Sequence, residues 1–104
     1  MIESTASHKY QIFYNNIVMK YRSRTDIVAL ILEAANGGAT KTRIMYKAFL
    51  SYAQLKEYLT VLLEKDVLEY EDETQLFRTT EKGLRLLQMY SQFDEMMSIE
   101  SVRK

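Results

Sequence analysis

From Thr40 to Gly83 the chain carries two short helical patterns, two apolar runs that bracket an acidic turn, and the phrase Thr79-Thr80-Glu81-Lys82-Gly83, one after another without a break. No other feature constrains the fold as tightly. A helix pair followed by a hairpin presents one helix to a groove and one loop to a backbone, so the order suggests nucleic-acid binding before any single residue does.

The local signals place each element. Ser23 with Asp26 three residues later makes a capping-box pattern, and Ile27, Leu30, Ile31 and Ala34 then form one apolar stripe that ends at Gly37-Gly38, which predicts a first helix. Thr40 caps a short second helix with Ile44, Met45 and Ala48 turned inward and Lys41, Arg43 and Lys47 left to solvent, ending near Phe49. Ser51 with Gln54 repeats the capping box, and Leu55, Leu59, Leu62 and Leu63 carry a third helix to about Lys65. Val67, Leu68 and Tyr70 then pair with Leu76, Phe77 and Thr79 across the turn Asp72-Glu73-Thr74-Gln75. Thr80 caps a last helix that should reach at least Met97, since no proline or glycine follows Gly83. Leu86, Tyr90, Phe93 and Met97 follow a 4-3-4 spacing, a seam of about two heptads, while Leu84 and Leu87 can face the domain core.

Upstream, His8 to Tyr21 reads two ways. Tyr10, Phe13, Tyr14, Ile17 and Tyr21 recur at helical spacing, and the same stretch reads as two β-rich runs hinged at Asn15-Asn16. The organisation is therefore an N-terminal arm or extension over residues 1–19, a winged helix-turn-helix domain over 20–80, and a dimerisation helix and tail over 81–104. The fold class is mainly α with a small β-hairpin (α+β), a winged helix-turn-helix with a long C-terminal helix.

A chain of 104 residues, 47% apolar and 27% charged, suits one globular domain. At that size part of the apolar surface can be buried in a subunit contact, which makes a homodimer a natural expectation. With no cysteine, and no apolar run near the roughly 20 residues of a membrane span, a soluble cytoplasmic protein without membrane contact is expected. Net charge is zero but unevenly placed: residues 19–47 carry six basic and two acidic side chains, residues 48–104 seven basic and eleven acidic. The first segment is basic although the protein is not, against the plainer reading of chance unevenness on a solvated surface.

The stretch Thr42-Arg43-Ile44-Met45-Tyr46-Lys47-Ala48, followed by Leu50-Ser51-Tyr52-Ala53-Gln54-Leu55, resembles the signature of the small archaeal winged-helix DNA-binding proteins, counted among archaeal chromatin or transcription-regulator proteins. Thr80-Glu81-Lys82-Gly83 is shared more loosely with many winged-helix regulators. The resemblance covers about residues 20–97. It implies a homodimer paired through its final helix as an antiparallel coiled coil, binding double-stranded DNA through the third helix and wing, with a nucleoid-associated location. The chain departs from that pattern in its short final seam with an uneven tail and in its acidic wing tip.

A third helix in a major groove would turn Tyr52, Gln54, Lys56, Glu57 and Thr60 outward. Gln54 could pair with adenine and Lys56 with guanine or phosphate; equally, Gln54 could cap its own helix and Lys56 be a surface charge. Phosphates fall to Lys41, Arg43 and Lys47 on the second helix, Arg22 and Arg24 before the first, and Arg78 on the wing. Tyr46 and Tyr52 flank the turn, where aromatic residues are more often core. Leu86, Tyr90, Phe93 and Met97 form the expected dimer interface.

Catalysis has little support. One histidine, His8, three glycines and no phosphate-loop spacing assemble neither a nucleophile with its base nor a nucleotide cradle, so neither an enzyme nor a cofactor is expected. Glu69, Glu71, Asp72 and Glu73 are better read as solubilising an edge hairpin than as binding a metal. The alternative function is a winged-helix protein-interaction module that holds another protein through its acidic wing and Met-rich final helix.

Overall fold

Each helix of the computed structural model, which describes residues 22–97, begins on a serine or threonine whose side chain accepts a backbone N–H one turn on. Ser23 opens α1 (Arg24–Ala34) and Thr40 opens α2 (Lys41–Ala48). Ser51 opens α3 (Tyr52–Glu64) and Thr80 opens α4 (Glu81–Met97). Ser23 and Ser51 sit in full capping boxes, because Asp26 and Gln54 return a side-chain oxygen to the cap's own N–H at 3.0 Å each. Such caps contribute about 1 kcal/mol each and fix the helix starts where the local pattern puts them. The arm over residues 1–19, the reading of His8 to Tyr21 and the end of the tail lie outside the described residues.

The hairpin follows α3. β1 (Leu68–Glu71) pairs antiparallel with β2 (Leu76–Thr79), in the register Leu68 to Thr79 and Tyr70 to Phe77, with residues 72–75 as the turn. Val67, expected within the first strand, lies just before it, buried, with its carbonyl accepting the Thr80 N–H at 3.1 Å. The outer edge of β2 exchanges two backbone hydrogen bonds with Ala39, 2.9 and 2.8 Å, so the segment between α1 and α2 is stitched to the wing.

The core gathers Ile31 and Leu32 from α1 with its C-cap Ala35, Ile44 and Ala48 from α2, Leu55, Leu59 and Leu62 from α3, and Leu68 and Phe77 from the hairpin. α4 is joined to this core by the phrase that ends the wing. The buried Thr79 hydroxyl donates to the Leu32 carbonyl at 2.7 Å, and the Thr80 hydroxyl donates to Asp66 O at 2.7 Å while accepting the Gly83 N–H at 3.1 Å. Lys82 Nζ donates to Lys65 O at 3.0 Å, at the end of α3. Gly83 is buried, and a Cβ there would collide with the Val67 carbonyl oxygen, so α4 can cross at this height only on a glycine.

Three expectations are corrected. Leu84 is exposed rather than inward: Gly83 sets the inward stripe of α4, and Leu87 and Tyr90 continue it at i+4 and i+7. Tyr46 and Tyr52 are not core. Tyr46 lies two residues from the buried Ile44, on the opposite side of α2, and Tyr52 occupies the first turn of α3, its ring near Lys41 rather than the core.

Candidate nucleic-acid interface

α2 is eight residues long and buries Ile44 and Ala48, which leaves Lys41, Arg43 and Lys47 exposed. Among the described residues the ion pairs are Arg78 with Glu71 and Arg85 with Glu81, so none of these three cations, nor Lys56 on α3, is neutralised by a described acid. The structure thus brings Lys41, Arg43 and Lys47 together on one helix, next to the turn that leads into α3. Lys41 also reaches across to α3, its Nζ 5.3 Å from the centroid of the Tyr52 ring.

On α3, Tyr52, Gln54, Lys56, Glu57 and Thr60 are all exposed. Gln54 is the most constrained of them. Its Oε1 accepts the Ser51 N–H at 3.0 Å, which leaves the amide NH2 to face outward as a donor. A bidentate contact with adenine needs both ends of the amide, so Gln54 reads a base that way only by releasing its cap. The Thr60 hydroxyl donates to the Lys56 carbonyl at 3.0 Å.

The remaining predicted cations lie apart from this group. Arg78 turns back into the protein: NH1 donates to Gly37 O at 2.9 Å and NH2 to Glu71 Oε1 at 3.2 Å. The same carboxylate oxygen accepts the Thr74 hydroxyl at 2.7 Å, and these two donors, Thr74 first, hold the Glu71 carboxyl below its ordinary pKa. With Arg78 so engaged and Glu69, Asp72 and Glu73 exposed, the outer side of the wing is acidic. Arg22 donates to the Phe49 carbonyl at 2.6 Å, and Arg24 lines a groove on the α4 side of α1.

That groove, of about 450 Å³, is lined by Val28, Ala29 and Leu32 of α1 and by Leu86, Tyr90 and Phe93 of α4. Three of the four seam residues therefore line an intrachain groove, while Met97 stands beyond it. Leu86, Phe93 and Met97 are exposed; Tyr90 is half-buried, its hydroxyl donating to Asp26 Oδ1 at 2.6 Å. This bond pushes the phenol above its ordinary pKa and is the leading cause that lowers the Asp26 carboxyl.

Sequence reasoning missed Met89, exposed beside the seam, and Phe49, exposed at the end of α2. Met89 falls outside the 4-3-4 spacing, but with Leu86, Phe93 and Met96 it makes a 3-4-3 spacing that was open to the same periodic reading. Phe49 had a signal too: the second helix must end, and no glycine stands there to end it.

The sequence model of the family described as winged helix-turn-helix matches residues 21–98, a span that takes in the four described helices and the hairpin. A search of curated proteins finds no match.

Proposed function

Since this chain belongs to the winged helix-turn-helix family, we propose that it binds double-stranded DNA as a homodimer, acting as a transcriptional regulator or small chromatin protein of the archaeal type. The observation that carries this reading is the set of exposed, un-neutralised cations Lys41, Arg43 and Lys47 on α2, with Lys41 reaching the Tyr52 ring on the exposed face of α3. α3 would enter the major groove, offering Tyr52, Gln54 and Lys56 to base edges, while the α2 cations hold phosphates. Arg78 keeps its internal role, and the acidic wing stands off the backbone. Leu86, Phe93 and Met97 would form the dimer contact and so set the spacing of two half-sites, dividing the chain into a DNA-binding part over 20–80 and a pairing helix and tail over 81–104.

Fluorescence anisotropy of labelled duplex DNA across a salt series tests this, with light scattering for the oligomeric state. The wild type should bind with an affinity that falls steeply with salt, and Arg43→Glu/Lys47→Glu should abolish binding at moderate salt. A single Lys47→Ala should reduce the salt slope by about 1. Binding that ignores these substitutions would sink the assignment.

The acidic wing and the apolar groove favour one alternative, a module that holds another protein. In that case Phe93→Ser/Met97→Ser, and not the α2 variant, would remove the activity. The family's usual role is binding rather than catalysis. No helix among the described residues is long and apolar enough to cross a membrane, and a cytoplasmic, nucleoid-associated location goes with the DNA reading.

A further inference from the structure

Three rings stand in solvent around the turn between α2 and α3: Tyr46 is 82% exposed, Phe49 55% and Tyr52 55%. Rings at a helix junction ordinarily fill the core. Here the core closes without them, through Ile44, Ala48, Leu50 and Leu55.

Phe49 is the most telling. It is the C-cap of α2 at φ 55° and ψ 51°, in the left-handed region, where a residue with a Cβ costs about 1 kcal/mol or more. Elsewhere the chain meets the same demand for positive φ with Gly37 and Gly38 after α1 and with the polar Asp66 and Gln75 around the hairpin. Glycine was thus an available solution, and the chain keeps a costly phenylalanine whose ring is more than half exposed. Strained positions of this kind collect where a side chain has a task outside the fold.

Each ring also has a cation beside it. The Arg22 guanidinium lies 5.9 Å from the Phe49 centroid and Lys41 Nζ 5.3 Å from the Tyr52 centroid. Tyr46 sits one turn from Arg43 on the exposed part of α2. Exposed rings interleaved with un-neutralised cations are the two ingredients of a stacking platform: the rings take base faces, and the cations take phosphates. A duplex offers only base edges to a protein, since its faces are stacked on one another. The ligand that fits exposed rings is one with unpaired bases.

We propose that Tyr46, Phe49 and Tyr52, with Lys41, Arg43 and Lys47, bind single-stranded nucleic acid by stacking unpaired bases on the rings. Recognition would tolerate sequence, because every base has a π-face, and would weaken with salt. The site shares its cations and Tyr52 with the proposed duplex site but adds Tyr46 and Phe49, rings that duplex binding does not require.

The test titrates the full chain with labelled oligothymidylate and oligouridylate of about twelve nucleotides, a length within the usual single-strand site size, and in parallel with a duplex. Anisotropy reports binding. Tyrosine emission reports stacking, since the chain has eight tyrosines and no tryptophan. The single strands should bind and quench tyrosine emission. Tyr46→Ala and Phe49→Gly should each weaken single-strand binding about fivefold or more and leave duplex binding within about twofold, whereas Tyr52→Ala should weaken single-strand binding by as much without that duplex control. Tyr46→Phe and Tyr52→Phe should behave as wild type, because they keep the ring and lose only the hydroxyl. Tighter binding of oligouridylate would identify RNA as the source of the unpaired bases, and equal or weaker binding single-stranded DNA.

The proposal is overturned if the ring deletions leave single-strand binding unchanged, if Tyr46→Ala and Phe49→Gly lower duplex and single-strand binding alike, or if Tyr→Phe does as much harm as Tyr→Ala. Duplex binding without single-strand binding would overturn this inference alone. Single-strand binding without duplex binding would overturn the duplex reading and leave this one standing.

Discussion

The joint from Thr79 to Gly83 and the edge from Lys41 to Lys56 each contain a helix-capping residue, Thr80 and Ser51, and they use their polar groups in opposite ways. At the joint, the hydroxyls of Thr79 and Thr80 and the ammonium of Lys82 all bond backbone carbonyls of α1 or of the segment after α3, and Gly83 leaves room for another. At the edge, Thr40, Ser51 and Gln54 close the helix ends, and beyond them the cations and rings face outward with no described ion pair. A motif can be recognisable because it builds a joint. A surface kept for a partner shows instead as side chains that the fold leaves without one.

The largest expected effect breaks the joint. Gly83→Ala would gain about 1 kcal/mol of helix propensity, yet its methyl would collide with the Val67 carbonyl oxygen and lie 2.7 Å from Thr79 Cγ2. Neither neighbour is free to move, since the Val67 carbonyl holds the Thr80 N–H and the Thr79 hydroxyl holds Leu32. A net loss of about 3 kcal/mol or more, or failure to fold, should appear in urea unfolding. Arg43→Glu/Lys47→Glu should do the reverse, removing DNA binding with the unfolding midpoint nearly unchanged. If Gly83→Ala were neutral, the distinction between joint and edge would collapse.

Thr79→Val is milder and more specific. It keeps the shape of the side chain and leaves the Leu32 carbonyl without its 2.7 Å donor, which should cost about 1–3 kcal/mol.

The helix starts were legible because a cap is a local rule: Ser23 with Asp26, Thr40, Ser51 with Gln54, and Thr80 all act within one turn of themselves. The turn at residues 72–75 and the reach of α4 to Met97 followed from equally local signals. What was not legible lies where distant chain segments decide. Arg78 reads as a wing phosphate contact, but the carbonyl that takes it belongs to Gly37, 41 residues away. Leu84 and Leu87 both read as inward, and only the collision at Gly83 determines which side of α4 meets the core. The exposure of Tyr46 and Tyr52 depended on whether smaller residues already closed the junction, and Ala48 and Leu55 did.

The Tyr90 to Asp26 bond is a third kind of contact, a single tie between α4 and the capping box of α1. Tyr90→Phe should cost about 1 kcal/mol at neutral pH, since the bond goes to a charged group that is partly solvated. Its pH dependence has a definite sign. Asp26 has a folded pKa below its ordinary value, so its contribution is full above about pH 4 and is lost as pH falls through the lower folded value. Tyr90 has a raised pKa, so its contribution is full below about pH 10 and is lost only above the raised folded value. Urea unfolding of both proteins at pH 7 and pH 2.5 should show the gap between them shrinking at the acid end. A gap that stays constant would mean the bond does not depend on the Asp26 charge.

The smallest effect decides to which side of the comparison the wing belongs. Glu71 is part of the architecture, since it holds Arg78 and Thr74, whereas Asp72 and Glu73 are exposed and in no described ion pair. Asp72→Asn/Glu73→Gln should therefore leave stability unchanged. If the wing approaches a DNA backbone, removing its two tip charges should tighten duplex binding about two- to fivefold at low salt. That gain should fade above about 0.1 M, where the Debye length falls below about 10 Å. An unchanged affinity at low salt would place the tip more than a screening length from the phosphates, so that α2 and α3 alone face the duplex. A weaker affinity would be the informative surprise: it would require the carboxylates to accept hydrogen bonds at the interface, from cytosine amino groups or from a cationic second protein, and the wing would then join the edge as a working surface.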